Sequence, residues 1–414
     1  MPGAARLRFP RPGLPATLDV LRVREFRLLY SGQTVSVLGD GMLSVALAFA
    51  VLDLTGSVTD LGLVLAAGRA PLLLTVLAGG VVADRLPRRS VMVGADLVRL
   101  GAQGASAGLL LAGSAHLWEL LALQALSGTA SGFFYPASTG LVPATVPEEL
   151  LQPANALRGL SDSVGRICGP ALGGVIVVAA NPGWALAADA ATFAVSAWSL
   201  SLLRLPAHIR PPAQHFLRDL ADGWREFRAR AWVWLPVVVA GGAGNFFSSF
   251  FGALGPGIAK SRLGGAEAWA AILAAQGVGG LAGGIAILHL RPRRPVAASC
   301  IGWAMLAFPT FLLALVAPVP VIAAGAFAAG IGLAGAQALW DTALQRHIPR
   351  EALSRVSAYD WFGSLLFNPV GYAAAGPIAG AVGDRASLGL AAGWLLVGPL
   401  VLVTLPAIRA VRDE

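Results

Sequence analysis

Charge is scarce in this sequence, and the places where it falls are the first clue to its chemistry. Between two apolar runs, residues 79–90 read GGVVADRLPRRS, with one acid and three arginines inside six residues. Asp40, Arg69 and Asp341 stand inside otherwise apolar stretches. At membrane depth an ionisable side chain costs at least ~2.5–3.5 kcal/mol and is by default a functional residue. Asp40 falls about halfway along its apolar run and Arg69 at a similar depth in the next, so adjacent helices would bring them together. An acid with a switchable partner suits proton exchange; a static pair tying two helices together is the other reading. Asp341, one turn before Gln345 and Arg346, is either a further coupling acid or half of an interfacial pair. Asp189 is expected near the outer end of its run, in a structural role. No Ser/His/Asp set, metal-ligand spacing or G-x-x-x-x-G-K-[ST] loop is present, so neither an enzyme, a metal, a cofactor nor ATP drive within this chain is expected. Cys168 and Cys300 sit in apolar runs as small buried residues.

The elements that must position these charges follow from composition. Hydrophobic residues make up 56% of the chain and charged residues 13%, against about 25% charged in a soluble protein; mean hydropathy is +0.70. The formal charge of +8 is spread in short patches between apolar runs, the pattern of a polytopic membrane protein in contact with lipid and not of a nucleic-acid binder. Twelve stretches are long and apolar enough to span a bilayer: 28–53, 59–83, 91–113, 117–142, 160–181, 184–204, 231–257, 267–290, 296–317, 320–344, 360–381 and 386–408. One set of loops carries nearly all the arginine, the other only Lys260, Arg262 and Arg385, so both termini are expected in the cytoplasm. The expected fold is all-α and integral to the membrane. Its parts are a cytoplasmic segment 1–27, a six-helix bundle 28–204, a cytoplasmic linker 205–230, a second bundle 231–408 and a tail 409–414. Within the linker, Phe216, Leu217, Leu220, Trp224 and Phe227 share one helical face, as in a helix lying on the inner membrane surface; a plain tether is the alternative.

The two bundles repeat each other. LAGGVVADRLPRRSV at 77–91 matches LAGGIAILHLRPRRPV at 281–296, VPEEL at 146–150 matches IPREA at 348–352, and GPALGG at 169–174 matches GPIAGA at 376–381. The arginines persist in both copies; the acid at Asp84 does not.

Two parallel six-helix repeats resemble the major facilitator superfamily, whose halves rock about a central site. Gly80-x-x-x-Asp84-Arg85-x-x-Arg88-Arg89 is similar to that superfamily's loop signature, G-x-x-x-D-R-x-G-R-R, with Pro87 where a second glycine is usual. The glycines and proline of the fifth helix, Gly165, Gly169, Pro170, Gly173 and Gly174, resemble its exporter motif. SVLGD at 36–40, the pair Asp96 and Arg99, and RVSAYDWFGSLLFNPVGY at 355–372 are similar to the branch that holds enterobactin, macrolide and tetracycline exporters.

The resemblance implies a monomeric proton antiporter that moves a drug-like, natural-product or siderophore molecule across the cytoplasmic membrane. An uptake symporter and a transport-dead membrane partner are the alternatives. It also implies that Asp84 caps the eleventh helix near Tyr359 to Trp361 when the cytoplasmic side closes, while Arg88 and Arg89 pair with acids such as Asp96. On the plainer reading those arginines only fix topology. Substrate is expected on helices 1, 4, 7 and 10, where Phe133, Phe134, Tyr135, Asn245, Phe246, Phe250 and Trp340 fall.

Overall fold

The computed structural model of the chain describes residues 19–205, 223–287, 289–290 and 292–412, without the side chains of 77, 81, 83, 84, 350, 351 and 354. With so few polar groups to satisfy the backbone, the apolar runs close their hydrogen bonds internally and form helices. In chain order these are α1 (Arg24–Thr55), α2 (Val58–Arg85), α3 (Arg88–Leu111), α4 (Leu117–Leu141), α5 (Leu151–Ala179) and α6 (Pro182–Ser201). After the linker come α7 (Ala231–Leu263), α8 (Ala266–Ile287), α9 (Pro295–Ala304 and Ala307–Ala314), α10 (Val319–His347), α11 (Arg350–Leu365 and Asn368–Val382) and α12 (Asp384–Thr404).

Local chemistry sets the borders. Gly56, at φ 67°, ends α1 in the left-handed conformation that glycine tolerates best. Ser57 caps α2 by accepting from the Asp60 amide at 3.1 Å, and Asn181 caps α6 by accepting from the Trp184 amide at 3.3 Å. Beside Pro236, α7 widens into i→i+5 turns over Val237–Ala243. α5 and α11 begin well before the apolar limits at 160 and 360, because Pro147 and Pro349 start them in polar sequence outside the apolar band. Among the described residues nine helices are long and apolar enough to cross a membrane by themselves. α3, α4 and α6 fall short because each buries polar groups against its neighbours, among them Gln103, Ser127 and Asp189.

Packing reproduces the repeat. In the first half α1 packs on α5 and α6, α2 on α4, and α3 on α4 and α6. In the second half the same contacts recur six helices later: α7 on α11 and α12, α8 on α10, and α9 on α10 and α12. The halves meet mainly through α2 with α11 and α5 with α8.

The two ends of the bundle differ. At the end away from the linker, Val45, Phe49 and Leu61 share one apolar core with Phe250, Ile258 and Trp269 of the other half. At the linker end each half has a core of its own, built around Phe26, Met92 and Leu200 in one and Val237, Cys300 and Leu344 in the other. The halves are joined at one end and parted at the other.

Of the expected linker helix, Phe216, Leu217 and Leu220 lie outside the described residues. Trp224 and Phe227 do not face lipid alone. Their rings lie 5.5 and 5.8 Å from that of Tyr359 on α11, so the end of the linker is held on the second half.

Candidate functional site

Between the halves lies a cavity of about 860 Å³, within the range of small-molecule sites. Its two walls differ. The first-half wall is polar, with Asp40 from α1, Arg69 from α2, Arg99 from α3 and Gln124 and Tyr135 from α4. The second-half wall is aromatic and acidic, with Trp269, Trp303, Trp340 and Trp361 beside Asp341 and Asp360.

Asp40 stands in mid-membrane because Gly39 and Gly41 let two helices close on α1 at that level. A Cβ on Gly41 would lie 2.5 Å from the Gly165 carbonyl and 2.8 Å from the Gly169 Cα of α5, and one on Gly39 would collide with Asp189 and Thr192 of α6. With both flanks occupied, the Asp40 side chain is left the cavity and α3. There Arg99 Nη2 donates to Asp40 Oδ1 at 2.5 Å. The Arg99 side chain is only 5% exposed, and its guanidinium lies 3.8 Å from the centre of the Phe193 ring, a cation–π contact. The partner of Asp40 is therefore Arg99, not Arg69. Arg69 is exposed on the same wall and makes no ion pair among the described residues. Sequence spacing could not choose between them, since α2 and α3 both follow α1 and only the packing of α3 on α6 turns Arg99 inward.

Two arginines of the loop signature hold the ends of neighbouring helices. Arg88 Nη1 donates to the Gly140 carbonyl at the end of α4, at 2.5 Å. Arg89 donates to the carbonyls of Ser201 and Leu203 at the end of α6, at 2.6 and 2.7 Å. Both sit where unsatisfied carbonyls and the helix dipole favour a cation. Asp96 is not their partner: it is fully buried, with Arg99 Nη1 3.7 Å from its Oδ1. Arg85 is exposed, and a Cβ on Gly80 would meet nothing within 4 Å. Asp84 lies in the last turn of α2; its side chain is outside the description.

The fifth-helix glycines lie against neighbouring helices. Gly165, Gly169 and Gly173 lie against Val37, Gly41 and Met42 of α1, while Gly174 faces Ala270 of α8 across the halves. Close approach of backbones is what small residues permit in lipid.

Of the expected substrate residues, Tyr135, Asn245 and Trp340 line the cavity. Phe133, Phe134, Phe246 and Phe250 do not. The Phe133 backbone touches Gly79 of α2, the Phe134 ring lies 5.6 Å from the Arg99 guanidinium, and Phe246 and Phe250 belong to the apolar core at the joined end. A helix turns about 100° per residue, so neighbouring aromatics cannot all face one cavity. Asp341 lines it, accepting from Gln337 Nε2 at 3.0 Å. Sequence reading missed Asp360, which the Trp340 indole reaches at 3.0 Å, and the other three indoles. Neither Asp341 nor Asp360 makes an ion pair among the described residues.

A paired acid and arginine facing a mid-membrane cavity between two pseudo-equivalent halves is the architecture of an alternating-access transporter. Residues 29–367 match the family model of the Major Facilitator Superfamily. The chain belongs to that superfamily. Over 402 residues this superfamily member is 28% identical to the enterobactin exporter EntS of Escherichia coli O1:K1, covering 94% of this chain and 93% of that protein. It is 23% identical to macrolide efflux protein A of Streptococcus pyogenes over 207 residues, 49% of this chain and 51% of that one. Among solved structures, a mutant of the peptide transporter POT in complex with sulfate superposes with TM-score 0.79 at 11% identity, covering 98% of each chain. A bacterial homologue of the iron transporter ferroportin, in an inward-facing state, gives 0.72 at 17%, covering 92% of this chain and 98% of that one.

Proposed function

We propose that this superfamily member exports an amphipathic, natural-product-sized molecule across the cytoplasmic membrane in exchange for protons, with Asp40 as the acid that alternately carries a proton and pairs with Arg99. The observation that carries the reading is the Asp40–Arg99 pair on the wall of the central cavity. A carboxylate there is held by one partner. Protonation removes its charge, releases Arg99 and so changes how α1 is tied to α3.

The cycle follows from that pair. The arginine distribution supports placing the linker end in the cytoplasm, so the parted end makes this an inward-facing state. Asp40 is then deprotonated, paired and ready for cargo. Cargo drives closure of the cytoplasmic end and opening of the outer end; a proton taken by Asp40 from outside returns the empty carrier. The cavity supports an amphipathic cargo: indoles offer flat apolar contact, Asp341 and Asp360 attract a positive group, and Arg69 an electronegative one. The names of the enterobactin exporter EntS and of macrolide efflux protein A support taking enterobactin and a macrolide as the first cargoes to test.

Asp84 belongs to the other state in this scheme. It closes α2 at the linker end and reaches α11 only when the halves meet there; α11 begins at Arg350, so Tyr359 to Trp361 lie inside that helix and are not its N-terminus, and in the inward-facing state linker aromatics cover Tyr359. Asp341 remains a second coupling acid in this reading.

Everted membrane vesicles with an acidic interior test the proposal. They are expected to accumulate a labelled macrolide or enterobactin, with accumulation lost on adding a protonophore. Movement of either probe in the opposite sense, or accumulation indifferent to the protonophore, overturns it.

A further inference from the structure

Behind the Asp40–Arg99 pair lie two carboxyl groups that the cycle above does not use. Asp96 of α3 and Asp189 of α6 are both 0% exposed. Neither carboxyl oxygen of either residue has a hydrogen-bond partner among the described residues. Asp189 is not near solvent at the outer end of its helix, as its position in sequence implied. Gly39 lets α1 close directly over it, where any side chain would strike its Oδ1. The Ser196 hydroxyl and the Gln103 amide nitrogen are also buried and unpartnered.

The charged and titratable groups facing this pocket are few. α1 supplies Asp40 and α3 supplies Asp96 and Arg99; α6 supplies Asp189. Arg69 of α2 and Tyr135 of α4 act on it from the cavity side. α5 meets α1 here through Gly165 and Gly169. Three carboxyls thus share one buried guanidinium, and Phe193 covers a face of that guanidinium. Asp40 already takes its shortest contact. Arg99 Nη1 also stands 3.7 Å from Asp96 Oδ1, whereas Asp189 makes no ion pair among the described residues; a buried carboxylate without a partner is not held as an ion but keeps its proton.

We propose that Asp189 holds a proton in a sealed site behind Arg99 and exchanges it with Asp40. The exchange balances by itself: the Asp189 acid and the Asp40 carboxylate become the Asp189 carboxylate and the Asp40 acid, while Arg99 moves from Asp40 to the newly formed anion. One proton and one ion pair trade places, and no outside reagent is needed. The use of this relay in transport rests on the antiport reading; the presence of the stored proton does not.

Infrared spectroscopy of the full-length protein in lipid nanodiscs at neutral pH separates the two. The wild type is expected to show the carbonyl stretch of protonated carboxylic acid in a non-aqueous setting, and Asp189→Asn to lose a component of it. Asn closely copies a neutral acid in shape and polarity, so the variant keeps its helix content. Asp40→Asn copies the protonated Asp40 and frees Arg99 for Asp189, so it is expected to weaken the same component. Absence of the band in the wild type overturns the proposal even if a variant fails to fold, and so does a band left unchanged by both substitutions. Neither result depends on any cargo being moved.

Discussion

Lys260, the chain's one lysine, reaches across the two halves to Asp53: its Nζ lies 2.5 Å from Asp53 Oδ1 and 2.9 Å from the Leu52 carbonyl. It joins the end of α7 away from the linker to the C-terminal end of α1, where a cation also meets the free carbonyls of the helix. The contact exists only while this end of the bundle is closed. With the shared core of Phe49, Leu61, Phe250 and Trp269, it defines the state in which the cavity opens toward the linker.

Both partners of that contact are about half exposed, 40% and 50%, so water screens it and its contribution to stability is about 0–1 kcal/mol. Lys260→Gln is therefore expected to leave the melting temperature nearly unchanged and to shift the balance of states by at most about fivefold toward the form open at this end. Electron–electron double resonance between spin labels on the ends of α1 and α7 away from the linker reads the shift. Exchanging the two residues, Lys260→Asp with Asp53→Lys, restores the wild-type distances.

The glycines of the two motifs separate into packed and unpacked positions. Gly169 lies against the Gly41 backbone, where an added Cβ would be 2.6 Å from its Cα, whereas Gly80 has open space. Gly169→Leu is expected to destabilise by roughly 1–3 kcal/mol through overpacking. Gly80→Ala, a better helix former in a helical position, is expected to match or slightly exceed the wild type. Thermal unfolding monitored in the same detergent compares them directly.

Arg89 holds two carbonyls at the end of α6. Removing it in Arg89→Ala leaves those groups to water and takes a cation from the helix end, an expected loss of about 1–2 kcal/mol. Arg89→Lys recovers only part of it, since a single ammonium cannot reproduce the fork. Loss of stability in Arg89→Ala without change in cargo affinity is the expected pattern in unfolding and binding measurements.

Asp84→Asn is expected to slow turnover while leaving cargo affinity near the wild-type value, because the proposed latch acts on the linker end when it closes and not on the cavity. Single-turnover transport beside equilibrium binding makes the distinction. Equal turnover in the two proteins leaves Asp84 with no part beyond loop topology.

Much of this was legible in the sequence because lipid makes a simple rule: apolar length gives helices, arginine gives sidedness, and repeated segments give two halves. The shortfalls occur where the rule meets polar packing. α5 and α11 start in polar sequence that hydropathy cannot count, and α3, α4 and α6 bury side chains that dilute their apolarity. The site was half legible. Asp40 and Tyr135 declare themselves by type and depth, but the choice of Arg99 over Arg69 depends on how α3 turns against α6. Asp189 was misplaced for a related reason. Distance from a helix end says nothing about burial when a glycine such as Gly39 lets a neighbouring helix close over the side chain. Asp360 was hidden inside a motif read for its resemblance and not for its charge.

The claim on which the account turns is that Asp40 exchanges a proton while Arg99 waits. Proteoliposomes carrying the wild type or Asp40→Asn, loaded with the probe moved in vesicles and given an imposed pH gradient, test it most directly. The wild type is expected to speed transport under the gradient. Asp40→Asn is expected to reach the membrane, bind the probe and exchange it across the bilayer at a rate indifferent to the gradient. An Asp40→Asn protein that responds to the gradient as the wild type does would contradict the account.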